Sequence, residues 1–372
     1  MMIFFLASTL SLDSFAWGSE GTIRVCIARR TGALAVQGRD LALYDLPTGR
    51  LLWKIQRKGS LVLKREKGSP LFLEGPKVTA RSFLVTAAGG TLEVQGRRHY
   101  SPLKVFPGPN GEIWAINELP MENYLAGLVN CEVPLLWPME ALKAQVVAAR
   151  TYATYQKGNR SGELFDVDST VADQVYEGME KEDDRAHQAV RETAGEILVY
   201  NGNPIFSVYH ACCGGRTEPA EGFWAGEYPY LKSVPCSLCL DSPHFLWNYQ
   251  ISKENFAKTL LPVGLWGSQI LDIAISQRTE SKRVAKLIIQ SDKERMVLSG
   301  KEFRQAMGYD FIRSTHFIVK RENGTFFFSG LGWGHGIGLC QWGARGMAEA
   351  GENYPSILRH YYPGTQLRRK SP

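Results

Sequence analysis

The chain has 372 residues, 44% hydrophobic and 22% charged, a composition that excludes a disordered protein and allows one large core or two ordinary ones. Its formal net charge of +6 at pH 7 is spread along the length. The one dense basic cluster is the tail at 367–372, so nucleic-acid binding has no support. A mildly basic surface suits an anionic polymer, or is solvated charge without a preferred partner.

In chain order, Met2 to Leu12 form a short apolar run, and Ser14-Phe15-Ala16 offers a small-x-small cleavage site. Residues 1–16 therefore read as a signal peptide of an exported precursor, although no Lys or Arg precedes the apolar run. The run is too short for a membrane helix, which needs about 20 apolar residues. Residues 17–115 alternate short β-branched runs (TIRVCIA, ALAVQG, LALYDL, LLWKIQ, LVLKRE, TLEVQG, EIWAIN) with Gly, Asn and Pro, which predicts a β-rich N-terminal region.

The pattern changes at Leu119. Pro120 opens a helical spacing with Tyr124, Leu125, Leu128 and Val129 on one face, and the chain breaks at Asn130-Cys131-Glu132-Val133-Pro134. A second helix begins at Pro138 and carries Met139, Leu142, Val146, Ala149 and Ala153 at spacings of three and four. Glu132 is thus expected in the connection between two helices. A third helix is predicted over 183–194, with Gly195 as its stop. Two hairpins follow from sequence: GEILVY with PIFSVYH around Asn201-Gly202-Asn203, and FIVKREN with TFFFSG around Asn323-Gly324. The fold class expected is α+β: the β-rich region, then a mixed domain over 116–366 with antiparallel strands and several helices.

Four groups of residues invite a chemical reading. Glu132 stands among Cys131, Val133, Pro134, Leu135 and Leu136, an apolar setting that disfavours a charged carboxylate and suits a proton donor. Its bland alternative is a carboxylate at a helix start, stabilised by the helix dipole. The loop from Gly330 to Gly338 interleaves five glycines with Trp333 and His335, so the backbone can approach a ligand while a ring and a titratable donor face it. Otherwise it is a tight turn before a helix, with a core Trp. Gln174 and Tyr176 lie in DVDSTVADQVYEG, whose ordinary role is a hydrogen-bonded connection.

The fourth group is sulfur. Seven cysteines, an odd number, exclude a complete intrachain disulfide framework, and four of them fall between Cys212 and Cys239. Cys236-Ser237-Leu238-Cys239 has the spacing of a zinc half-site, and the segment 210–244 supplies a set of Cys213, Cys236, Cys239 and His210 for a structural zinc. A Cys213–Cys236 disulfide and a redox pair at Cys236 and Cys239 are the alternatives.

Together, LPMENYLAGLVNCEVPLLWPMEALKAQVVAARTYA, DQVYEG, YHACCGGRT with PYLKSV, GWGHGIGLCQWGARGMA and ILRHYYPGT resemble the sporulation stage II protein D family, whose relatives include amidase enhancers. The resemblance implies lytic cleavage of peptidoglycan between N-acetylmuramic acid and N-acetylglucosamine, on glycan strands freed of stem peptides, with Glu132 as the catalytic residue. It also implies a cell-envelope or periplasmic location. Within it, His335, Gln341, Trp333 and Tyr209 are expected to contact sugar, with Gln174 and Tyr176, in a cleft that joins Glu132 to the Gly330 to Gly338 loop. A non-catalytic amidase enhancer, partnered by a cell-wall amidase, is the competing expectation.

Overall fold

The computed structural model describes residues 21–369 apart from Lys77 and Gly222, so the expected signal peptide lies outside the described residues. The protein is α+β, as its sequence predicts. The described residues divide into two compact units: 21–134 with Gln156–Arg191, and Leu135–Tyr155 with 192–369.

The first unit is built on two sheets. The larger runs Val167–Asp168, Thr22–Thr31, Glu112–Pro120, Leu103–Pro107, Phe83–Ala87, Leu41–Asp45, Leu51–Lys54 in spatial order, and the smaller runs Arg97–Tyr100, Thr91–Val94, Ala33–Arg39, Lys58–Lys64, Leu71–Leu73, Val78–Ala80. Alternating residues of these strands form a common core, including Leu34, Val36, Leu41, Leu43, Leu61, Leu63, Phe83, Val85, Leu103 and Val105. Helix α1 (Met121–Glu132) leaves the end of Glu112–Pro120 and buries Tyr124, Leu125, Leu128 and Val129, the apolar face read from its spacing. Glu132 is the last residue of that helix, not part of a linker. Helical geometry continues through Cys131 and stops only at Val133, which is extended (φ −142°, ψ 148°) because a residue before proline avoids the α region.

Helix α2 (Met139–Asn159) begins in the second unit and ends in the first, and α3 (Asp184–Glu192) falls at the end of the first. In the second unit, Glu196–Tyr200 pairs with Asn203–Pro204 across Asn201 and Gly202, both at positive φ. The expected second strand of this hairpin is short: it covers Asn203–Pro204, with one further bond from Ile205 N to Leu198 O at 3.1 Å. Tyr209–His210 instead pairs in parallel with Leu339–Cys340. Residues 246–331 form a module of their own that the sequence reading did not separate. Two three-stranded sheets, Leu246–Ser252 with Thr325–Leu331 and Phe317–Glu322, and Ile270–Arg278 with Val284–Ser291 and Arg295–Ser299, enclose α4 (Lys253–Leu260) and α5 (Gly300–Met307). Its core includes Trp247, Phe256, Leu287, Phe303, Phe317 and Phe328. Helices α6 (Gln341–Glu349) and α7 (Tyr354–Tyr361) complete the unit. Among the described residues no helix is long and apolar enough to cross a membrane.

Candidate functional site

In the first unit, Glu132 is half-buried, and its Oε1 accepts a hydrogen bond of 2.9 Å from the Val175 backbone N–H. Because Glu132 closes a helix instead of opening one, α1 offers no N-terminal dipole to favour its charge. The segment that donates to it is fixed from both sides. Gln174 is buried, with its Oε1 accepting from the Tyr124 hydroxyl at 3.2 Å. Tyr176 is buried too, its ring 5.1 Å from that of Tyr124 and 6.0 Å from that of His99, and its hydroxyl has no partner. Burial pushes the Tyr176 hydroxyl pKa well above its ordinary value, so it stays protonated. Both side chains proposed from sequence for a sugar cleft are therefore anchors in the interior. What this loop presents to the carboxylate is main chain. Asp168 and Asp173 hold the loop's other end: Asp168 pairs with Arg29 at 2.6 Å, and Asp173 with Arg160 at 2.6 Å.

The second unit holds the sulfur cluster. Cys213, Cys236, Cys239 and Cys340 are all buried, and their sulfurs lie within 4.8 Å of one another. His210 is not one of the four. Its Nδ1 lies 3.1 Å from the Ile337 carbonyl, which can only accept, so Nδ1 carries the proton and the buried Nε2 is left without a partner. The fourth corner comes instead from Cys340, which enters through the parallel pairing of Tyr209–His210 with Leu339–Cys340. Its distance along the chain hides it from a spacing argument, although it lies in GLCQWG, within one of the stretches that carry the family resemblance.

All the cysteines are free, and the 3.6 Å between the Cys213 and Cys239 sulfurs is far beyond the roughly 2.05 Å of a disulfide. It is close to the edge of about 3.8 Å expected for a tetrahedron with metal–sulfur bonds of about 2.3 Å. The donor chemistry also fits a soft cation. Hydrogen bonds from the neighbouring cysteine side chains hold the Cys239 thiol well below the ordinary range, while those around Cys213 push it up and burial pushes up Cys340. Cys340 additionally caps α6: its sulfur accepts from Gly343 N at 3.4 Å and from Cys213 N at 3.2 Å. Backbone donors at a helix start favour a thiolate.

The glycine-rich loop is locked to this cluster. Trp333 N donates to Cys212 O at 2.8 Å, and Cys212 N to Trp333 O at 3.0 Å. A side chain on Gly332 (φ +80°) would come within 2.5 Å of that same Cys212 oxygen, so only glycine permits the pairing. His335 has both ring nitrogens engaged by main chain. Ile337 N donates to Nδ1 at 3.0 Å, which fixes the proton on Nε2, and Nε2 donates to Tyr209 O at 3.0 Å. Burial, followed by the Arg304 charge, holds His335 at about 3, so it is neutral. Gln341 is buried and donates to Gln145 at 3.4 Å, whereas Trp333 and Tyr209 remain half-buried.

A family model described as Stage II sporulation protein matches residues 109–200, and one described as a domain of unknown function matches 239–338. The chain is 36% identical to a protein named Stage II sporulation protein D of Bacillus amyloliquefaciens, over 68% of this chain and 75% of that one. It is 36% identical to an uncharacterised protein of Brachyspira hyodysenteriae over 76% and 75% of the two. It is also 32% identical to a protein of Bacillus subtilis named Amidase enhancer, over 65% of this chain and 40% of that protein.

Proposed function

The chain belongs to the stage II sporulation protein D family, and from that membership we propose that it is a peptidoglycan lytic transglycosylase of the cell envelope, with Glu132 as both acid and base. The observation that carries this reading is the half-buried Glu132 carboxyl held by the Val175 N–H, inside the stretch that the family model matches. Proton transfer in both directions needs a carboxyl group held in one position, and the Val175 N–H holds this one. Glu132 gives its proton to the oxygen leaving between N-acetylmuramic acid and N-acetylglucosamine as the C1–O bond breaks. The resulting carboxylate then takes the proton of the C6 hydroxyl as that oxygen bonds to C1. The product is a 1,6-anhydromuramic end, and no water is consumed. One carboxyl serves both steps, so the paired carboxylates of most glycosidases are not needed.

On this reading the protein is exported, residues 116–366 carry the catalysis, and the β-rich part at 17–115 accompanies them. The four sulfurs would hold a zinc ion. Zinc would supply cohesion, not activated water, because four thiolates fill its tetrahedron. A second reading, a wall-binding amidase enhancer, is favoured by the similarity to the Bacillus subtilis protein of that name.

The test is mass spectrometry of products released from peptide-stripped glycan strands by the native chain and by Glu132→Gln. Anhydro ends from the native chain alone are expected. Intact glycan with both folded proteins would overturn the transglycosylase reading and favour the enhancer.

A further inference from the structure

The sulfur cluster carries three half-exposed rings, and no step above uses them together. His244 follows the Cys236–Cys239 turn, Trp333 pairs with Cys212, and Trp342 stands two residues after Cys340. The rings of His244 and Trp333 are 4.6 Å apart at 83°, and those of His244 and Trp342 are 6.3 Å apart at 83°. A guanidinium closes each end: Arg313 lies 4.7 Å from the centre of the Trp333 ring and Arg345 lies 4.8 Å from that of Trp342. Trp342 is backed at 5.2 Å by the buried Trp137.

This composition is unlike a core. Core tryptophans lie apart from water, and core cations have carboxylate partners. Here Arg313 has no carboxylate partner among the described residues, and Arg345 has only Glu349 one turn along α6, an exposed pair of small energetic weight. A guanidinium stacked on indole keeps its N–H edge directed outward, where it can pair with an anion. Rings offer the C–H faces of sugars a stacking surface.

We infer that Arg313, Trp333, His244, Trp342 and Arg345 form a binding row for a carboxylate-bearing glycan strand, held in register by the four-sulfur cluster. The inference rests on peptidoglycan being the substrate. Sugar rings stack on Trp333 and Trp342, and the muramyl carboxylates pair with the two guanidinium groups. The cluster thereby acquires a purpose beyond cohesion, since each ring is tied to a segment that carries a cysteine.

The experiment measures the affinity of the full-length Glu132→Gln protein, which keeps the row but lacks the proposed acid, for soluble peptide-stripped glycan strands and for the same strands with carboxyl groups reduced to alcohols. Trp342→Ala and Arg313→Gln are then added on that background. Glu132→Gln is expected to bind the carboxylated strands at least about tenfold more tightly than the reduced ones, Trp342→Ala to weaken both about tenfold, and Arg313→Gln to narrow the difference. Binding by Glu132→Gln that neither row variant alters, or that does not distinguish the two strands, overturns the row and leaves the proposed function standing. No binding of either strand by Glu132→Gln removes the substrate itself, and the proposed function falls with the row.

Discussion

At the scale of single residues, Glu132 is positioned by main chain. A side-chain donor could be replaced by evolution or by a mutagenist; the Val175 N–H can be removed only by changing the backbone. Val175→Pro deletes that donor, and a hydrogen bond to a charged group contributes about 1.5–3 kcal/mol, so if Glu132 acts as proposed, kcat on glycan strands should fall roughly 10- to 100-fold with KM little changed. Val175→Ala, which keeps the N–H, should retain activity. Equal activity in both variants would show that the contact does not orient the carboxyl group. His335 teaches a similar lesson. A histidine in a glycine-rich loop invites a catalytic role, but both its nitrogens are spent on Ile337 N and Tyr209 O.

At the scale of elements, helix α6 is made to approach the Cys236–Cys239 turn by what it lacks. A side chain on Gly343 would sit 2.4 Å from the Cys236 sulfur and 2.1 Å from the Tyr361 hydroxyl oxygen, and one on Gly346 would sit 2.3 Å from Leu238 O. Gly343→Ala should therefore lower stability by about 1–3 kcal/mol through overpacking. Because the same helix carries Cys340 at its start, metal content should fall with it, as measured by thermal unfolding beside elemental analysis. If zinc is bound as proposed, the native chain should hold one ion. Cys340→Ser should lose most of it, whereas His210→Ala should keep it; loss only in the His210 variant would restore the set read from sequence.

At the scale of the whole molecule, histidines in both units whose pKa is held down by burial make stability depend on pH. Burial holds His99 and His316 at about 4 and His335 at about 3, below their ordinary value of 6.5. Above that ordinary value both folded and unfolded chains leave them neutral. As pH falls from about 6.5 toward 4 the unfolded chain takes up protons that the folded chain refuses, so folding stability declines across that window. Urea unfolding between pH 7 and pH 4 should show the decline, less steeply in His335→Gln; a flat profile would contradict the burial argument. The module at 246–331 has its own aromatic core, so Phe303→Ala should cost about 3–5 kcal/mol there and produce an early unfolding step, read by hydrogen exchange, while the first unit keeps its protection.

Much was legible in the chain itself, because the signals are local. β-Branched runs between Gly and Asn gave the strands of the first unit, the spacing of Tyr124, Leu125, Leu128 and Val129 gave the buried face of α1, and Asn323-Gly324 gave a hairpin turn with both residues at positive φ. Three of the four clustered sulfurs also came from spacing. The rest depended on partners remote in sequence. Cys340 joins the cluster through a strand pairing that spans more than a hundred residues, the Val175 N–H reaches Glu132 from a different loop, and the module's two sheets close on strands that local propensity cannot assign to one core. Side-chain pattern determines which face of an element is buried; only the tertiary structure decides which backbone and which sulfur it meets there.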